Sequence, residues 1–151
     1  MDLAKYKPSR EFLLYKSSNG DVKVDVLLQN ETIWMPQKKM AELFDVKIPA
    51  ISKHLKNIYE SEELSKEATV SILEIVQNES GRDVKRNTEF YSLDAIIAVG
   101  YRVNSHEVTK FRKWATQILR SYIIKGFALD DELLKNGRNF GKYYKPKYFT
   151  S

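Results

Sequence analysis

An α+β fold is predicted by three features of the chain. Between Glu11 and Met35 apolar residues recur at the short period of pleated strands, whereas from Gln37 to Ile58, and again from Val108 to Tyr122, they recur at helical spacing. A further strand pair, broken by the turn cluster Asn78-Glu79-Ser80-Gly81-Arg82, lies between the two helical stretches. This order predicts a winged helix-turn-helix with an amino-terminal β-hairpin and a carboxy-terminal helical pair. Residues 11–134 carry it, between an amino-terminal arm at 1–10 and a basic tail at 135–151.

The elements follow in chain order. Phe12-Leu13-Leu14-Tyr15 and the run from Val22 to Leu28 flank Ser18-Asn19-Gly20-Asp21, and Asn-Gly supplies the positive φ angles of a tight hairpin. Asn30-Glu31 makes a second turn, and Thr32-Ile33-Trp34-Met35 is a short third strand that stops at Pro36. Pro36, with its φ preset, opens a helix from Gln37 to Phe44 with Met40, Ala41, Leu43 and Phe44 near one side. Asp45-Val46-Lys47 interrupts it. A second helix begins near Pro49 and buries Ile51, Leu55 and Ile58.

After the acidic link Glu60-Ser61-Glu62-Glu63, the β-branched stretch from Ala68 to Gln77 reads as a strand, and Val84 to Tyr91 returns antiparallel to it. Ser92 or Asp94 opens a short helix from Leu93 to Tyr101. Asn104 or Ser105 caps a long one expected to end at Gly126, with Val108, Phe111, Ala115, Ile118, Leu119 and Tyr122 on one face.

Gln37 through Lys56 has the lengths and apolar positions of a helix-turn-helix unit. Ala41 sits where the first helix must approach the second closely, so a larger side chain would push the pair apart. Val46 and Ile51 plug the space between them, and Phe44 and Leu55 extend that core. Held this way, the second helix presents its amino-terminal half outward, the condition for entering a major groove about 12 Å wide. Its outward residues are Lys47, Ile48, Ser52, Lys53 and Lys56. Lys47 or Lys53 can donate to guanine acceptors, Ser52 can meet a base or a phosphate, and Ile48 can touch a thymine methyl. Lys38, Lys39 and Lys56 are placed for phosphates.

Two residues test that reading. Pro49 is tolerable only in a first helical turn, which is where it falls. The intervals of glutamine, alanine, valine and isoleucine resemble those of small phage repressors, except that Asp45 stands where glycine is common; aspartate accepts a left-handed backbone better than most residues. The strand pair around Gly81 predicts a wing that carries Arg82, Lys85 and Arg86 to a DNA backbone or minor groove. Glu79, Asp83 and Glu89 would balance those bases if the hairpin merely faced water.

The formal charge of +5 favours an anionic partner, and its distribution sharpens the point. Arg102, Lys110, Arg112, Lys113, Arg120 and Lys125 face only Glu107 in their segment, and after Glu132 the chain is purely basic through Lys135, Arg138, Lys142, Lys145 and Lys147. No apolar run is long enough to span a bilayer, no secretory signal opens the chain and there is no cysteine, so a cytoplasmic protein is expected. His54 and His106 fall in different segments and make no metal set with plausible spacing. No Gly-rich phosphate loop, nucleophile elbow or metalloprotease helix occurs, and adjacent Glu62 and Glu63 point to different helix faces, so neither an enzyme nor a cofactor is expected.

Two stretches carry a family resemblance. Phe90-Tyr91-Ser92-Leu93-Asp94-Ala95-Ile96-Ile97-Ala98-Val99-Gly100-Tyr101-Arg102-Val103-Asn104-Ser105 and Phe111-Arg112-Lys113-Trp114-Ala115-Thr116, with Leu119, Tyr122 and Lys125 to Asp130, resemble the RhuM family of bacterial virulence-associated proteins. The resemblance spans about residues 10 to 137 and leaves the tail from Asn139 to Ser151 outside it. It implies a DNA-binding protein without established catalysis, associated with mobile elements, restriction-modification clusters or virulence islands. The Phe111-Arg112-Lys113-Trp114 stretch is also similar to phage-type Bro and KilA amino-terminal DNA-binding domains.

The expected function is sequence-preferring binding of duplex DNA, with transcriptional regulation of a mobile-element, restriction-modification or virulence locus. A homodimer through residues 105–125 would read two half-sites roughly 34 Å apart. The competing expectations are a non-catalytic protein-interaction or antitoxin-like module that uses the basic arm, and a nuclease accessory subunit.

Overall fold

A computed structural model describes residues 11–17, 20 and 22–135, and their side chains as far as Tyr122. The elements are β1 (Glu11–Lys16), β2 (Lys23–Gln29), β3 (Thr32–Met35), α1 (Gln37–Phe44), α2 (Ile48–Glu60), α3 (Lys66–Thr69), β4 (Val70–Glu79), β5 (Arg82–Ser92), α4 (Leu93–Val103) and α5 (Ser105–Lys135). The architecture is α+β, with a five-stranded antiparallel sheet and five helices among the described residues. One compact unit ends at Lys113 and a second begins at Trp114. The arm at 1–10, the tail beyond Lys135, and Ser18, Asn19 and Asp21 of the first turn lie outside the described residues.

The sheet runs β1-β2-β3-β5-β4, so the amino-terminal hairpin and the β4–β5 ribbon share one ladder. The join is short: Trp34 opposes Ser92 and Met35 opposes Tyr91. Two turns need left-handed backbone at both central residues, Asn30 and Glu31 between β2 and β3, Ser80 and Gly81 between β4 and β5. Such turns match the right-handed twist of the strands they join. On β2, Val24, Val26 and Leu28 alternate onto the face where α1 and α4 pack, while Leu27 turns to the other side and clusters with Trp34, Leu73 and Phe90.

Above the first face, Met40, Leu43 and Phe44 of α1, Ile51, Leu55 and Ile58 of α2, and Ala95, Ile96 and Val99 of α4 form the buried core. Gly100 marks a close approach within it. A methyl group added there would meet Val108 Cγ2, Val108 Cβ and the Phe44 ring tip Cζ within 2.7 Å. Asn104 ties three helices together: its backbone N–H closes α4 on Gly100, its Oδ1 accepts from the Glu107 N–H in the first turn of α5, and its Nδ2 donates to the Phe44 carbonyl at the end of α1. A helix end leaves such groups without partners unless a side chain supplies one.

Four details differ from expectation. The strand expected from Ala68 starts at Val70, because Thr69 turns back on Ser65 through both its N–H and its Oγ1 and closes the single turn α3. α4 runs on to Val103. β5 begins at Arg82, two residues early, since its register with β4 extends to Glu79 at the turn. α5 passes through Gly126 to Lys135; one glycine costs a helix only about 1 kcal/mol, and the sequence beyond it, with Ala128, Leu129, Glu132, Leu133 and Leu134, is rich in helix formers.

Candidate nucleic-acid interface

The helix pair is built as its residue spacing requires. Asp45 ends α1 at φ 55°, ψ 51°, a left-handed conformation, and the next N–H, of Val46, reaches back to the Ala41 carbonyl. α2 then begins at Ile48 with Pro49 in its first turn, where the missing N–H costs nothing. Ala41, Phe44, Ile51 and Leu55 are buried between the helices and Val46 is half-buried.

With that side of α2 buried, the opposite side is exposed: Lys47, Ile48, Ser52, Lys53 and Lys56 all face solvent, Ile48 at 45% exposure. Lys38, Lys47 and Lys53 enter no ion pair among the described residues. Lys56 reaches Glu60 at 3.9 Å and half-buried Lys39 reaches Glu42 at 3.5 Å, pairs weak enough to be exchanged for a phosphate.

Ser52 has a partner that its spacing in the sequence conceals. Its hydroxyl donates to Gln37 Oε1, Gln37 Nε2 donates to the Tyr91 hydroxyl at 3.1 Å, and Tyr91 donates to Glu89 Oε2 at 2.7 Å. These groups, with Lys56 and Tyr59, line a groove of about 860 Å³ between α2 and the base of the β4–β5 ribbon. Burial pushes the Tyr91 phenol up to about 12; the bond from Gln37 opposes that rise and the bond to Glu89 reinforces it. Tyr59 is also raised, chiefly by burial, and its hydroxyl shares a hydrogen bond with Thr69 Oγ1 at 2.8 Å.

The ribbon bases are exposed, as expected, but their acids are arranged differently. Arg86 forms two hydrogen bonds with Glu79, at 2.7 and 2.8 Å, and Lys85 approaches Glu74 at 3.7 Å. Asp83 instead accepts from Asn78, and Glu89 is engaged by Tyr91. Cross-strand register decides this: Lys85 stands opposite Val76, one diagonal step from Glu74, and Arg86 stands opposite Ile75, on the same face as Glu79 four residues further along β4. The bond from Arg86 holds the Glu79 carboxyl below the usual carboxylate range. Arg82, at the tip, enters no ion pair among the described residues.

Arg102 is likewise spent, donating to both Glu63 oxygens at 2.8 and 3.2 Å, and so fastens the acidic link to α4. Glu107 accepts from Tyr15, and Arg112 lies over the Tyr101 ring at 6.0 Å. The described residues hold no group of three or more His, Asp or Glu side chains able to take a metal, and none of their helices is long and apolar enough to cross a membrane.

The residues that spacing alone missed are Tyr91 and Glu89. Gln37 is the one neutral polar side chain opening α1, a hint that it has a partner, but its partners lie 15 and 54 residues away and only the fold brings them together.

These features define an α+β protein that sets an exposed basic row, with Lys47 and Lys53 outside any ion pair among the described residues, beside a β-ribbon whose Lys85 and Arg86 are paired with glutamates. The chain belongs to the virulence protein RhuM family, whose model matches residues 68–150. The matched segment takes in β4, β5, α4 and α5 and includes the tail expected to fall outside the resemblance. It begins after α1 and α2, so the resemblance expected from about residue 10 starts at 68. The likeness to Bro and KilA domains gains no support from the comparisons. No curated protein and no solved structure matches the chain.

Proposed function

We propose that this RhuM family member is a sequence-preferring duplex-DNA-binding protein that regulates transcription of a mobile-element, restriction-modification or virulence locus. In this reading it is a winged helix-turn-helix and a binding protein, not an enzyme. The observation that carries the reading is the two-sidedness of α2. Ile51, Leu55 and Ile58 anchor one side in the core, and Lys47, Ile48, Ser52 and Lys53 stand exposed on the other, with both lysines unpaired among the described residues. A rigid helix with a free basic row fits a major groove, and the lysines supply the counterion release that dominates affinity for duplex DNA.

Lys38, at the start of α1, and Lys39 and Lys56 add phosphate contacts that set register on the duplex. The β4–β5 ribbon serves as the wing, with Arg82 at its tip the base readiest to reach a phosphate or minor groove. Two copies would join through residues 105–125, where Trp114, Ile118, Leu119 and Tyr122 remain half-exposed at helical spacing. Sedimentation showing monomer alone at high concentration would remove the dimer without touching the monomer's reading of DNA.

The test is retardation of duplex DNA across a salt series. Binding should weaken steeply with salt and be abolished by Lys47→Glu with Lys53→Glu, the melting temperature holding. Retardation indifferent to that pair would remove α2 as the reading element.

A further inference from the structure

The chain of bonds from Ser52 to Glu89 has only one possible direction. Glu89 is a carboxylate, with lone pairs and no proton to give, so the 2.7 Å bond to it uses the Tyr91 proton. The Tyr91 oxygen can then only accept, and Gln37 must turn its Nε2 toward it, at 3.1 Å. That leaves Gln37 Oε1 facing Ser52, where it takes the Ser52 proton. Turning the amide over would place Oε1 against a phenol whose proton is already committed. Because burial raises Tyr91, with Glu89 reinforcing the rise, the phenol keeps that proton at neutral pH.

We infer that Glu89, acting through Tyr91 and Gln37, makes Ser52 an obligate acceptor and so sets the base that this position of α2 selects: adenine or cytosine. The inference rests on α2 reading duplex DNA. In the major groove only adenine N6 and cytosine N4 offer protons, whereas guanine N7 and O6, thymine O4 and the phosphate oxygens are all acceptors. Ser52 is exposed on the groove wall, and with its proton given to Gln37 it can accept from the first two and has nothing to donate to the rest. It is therefore a base reader and not a phosphate anchor. Glu89, which touches no DNA in this scheme, is a positioning residue.

Glu89→Lys reverses the relay at an exposed site without removing a core group, because an ammonium has only protons to offer and cannot accept from Tyr91. The new ammonium donates to Tyr91, Tyr91 donates to Gln37 Oε1, Gln37 turns over to donate to Ser52, and the Ser52 proton is released. Duplexes selected from a random pool decide the matter for the native chain, Glu89→Lys and Ser52→Ala. The native chain should favour adenine or cytosine at one position by about fivefold, the worth of one ordinary hydrogen bond. Glu89→Lys should shift that position to guanine or thymine, and Ser52→Ala should leave it indifferent. The native preference persisting in Glu89→Lys overturns the relay, its persistence in Ser52→Ala overturns Ser52 as the reader, and no selection by the native chain overturns the DNA reading itself.

Discussion

Two basic regions of this chain carry similar charge and differ in what that charge is free to do. Lys47, at the N-cap of α2, and Lys53 within it stand on the exposed side of a helix whose far side is locked in the core, and neither has a carboxylate partner among the described residues. On the ribbon, Lys85 and Arg86 lie among the acids of their own hairpin, Arg86 held by both Glu79 oxygens. Exposed pairs of this kind add little to stability, yet an arginine must leave its carboxylate before it can meet a phosphate. Counting bases would rank the regions equal, and only the availability of each base separates them.

The difference depends on the frame that holds α2, and the largest expected effect comes from disturbing it. Gly100→Ala drives a methyl into Val108 Cβ, next to the backbone and unable to yield, and into the Phe44 ring that closes α1. Overpacking of this kind costs about 3 kcal/mol, which in a unit of this size lowers the melting temperature by about 10 °C or more. Calorimetry checks it; an unchanged melting temperature would mean that the helices are not packed as described. Next in size, Lys47→Ala with Lys53→Ala should reduce the salt slope of DNA binding by about two, whereas Lys85→Ala with Arg86→Ala should reduce it by less than one. Equal losses would erase the distinction between the two regions.

How much of this was legible beforehand follows from the range of the interactions. The helix pair could be read because its signals are local: the apolar spacing of α1 and α2, Pro49 in a first turn, Asp45 at a left-handed position. The exposed sides of Lys47, Ile48, Ser52, Lys53 and Lys56 came with that periodicity. The ribbon strands were legible for the same reason, but their ion pairs were not, because Arg86 finds Glu79 and Lys85 finds Glu74 through register across the hairpin. The joining of both hairpins into one sheet rests on two residue pairs, Trp34 with Ser92 and Met35 with Tyr91, separated by more than fifty residues and marked by no local pattern. The partnership of Gln37 with Tyr91 depends on that same junction.

A smaller effect should follow from Asn104→Ala. The change removes the cap on α5 and the donor to the Phe44 carbonyl together, costing about 1–2 kcal/mol. Because the lost donor closes α1, amide exchange should quicken at the α1–α2 turn and stay as it was along β4 and β5. Uniform quickening through the ribbon would show that the two regions open as one.

The smallest effect is expected from releasing the ribbon's own base. Glu79→Gln leaves Arg86 without its carboxylate, so a free guanidinium joins Arg82 at the wing and the salt slope should rise by about one at most. Lowering the pH acts in the same direction. Arg86 depresses the Glu79 carboxyl, so the pairing persists above the ordinary carboxylate range and is lost only as pH falls through the lowered value. Acid should therefore tighten ribbon contacts with DNA in the native chain and leave Glu79→Gln unaffected by this group, a difference that retardation at matched salt measures. If Glu79→Gln binds no more steeply than the native chain, Arg86 makes no phosphate contact even when free, and the contrast between the two regions reflects reach and not pairing.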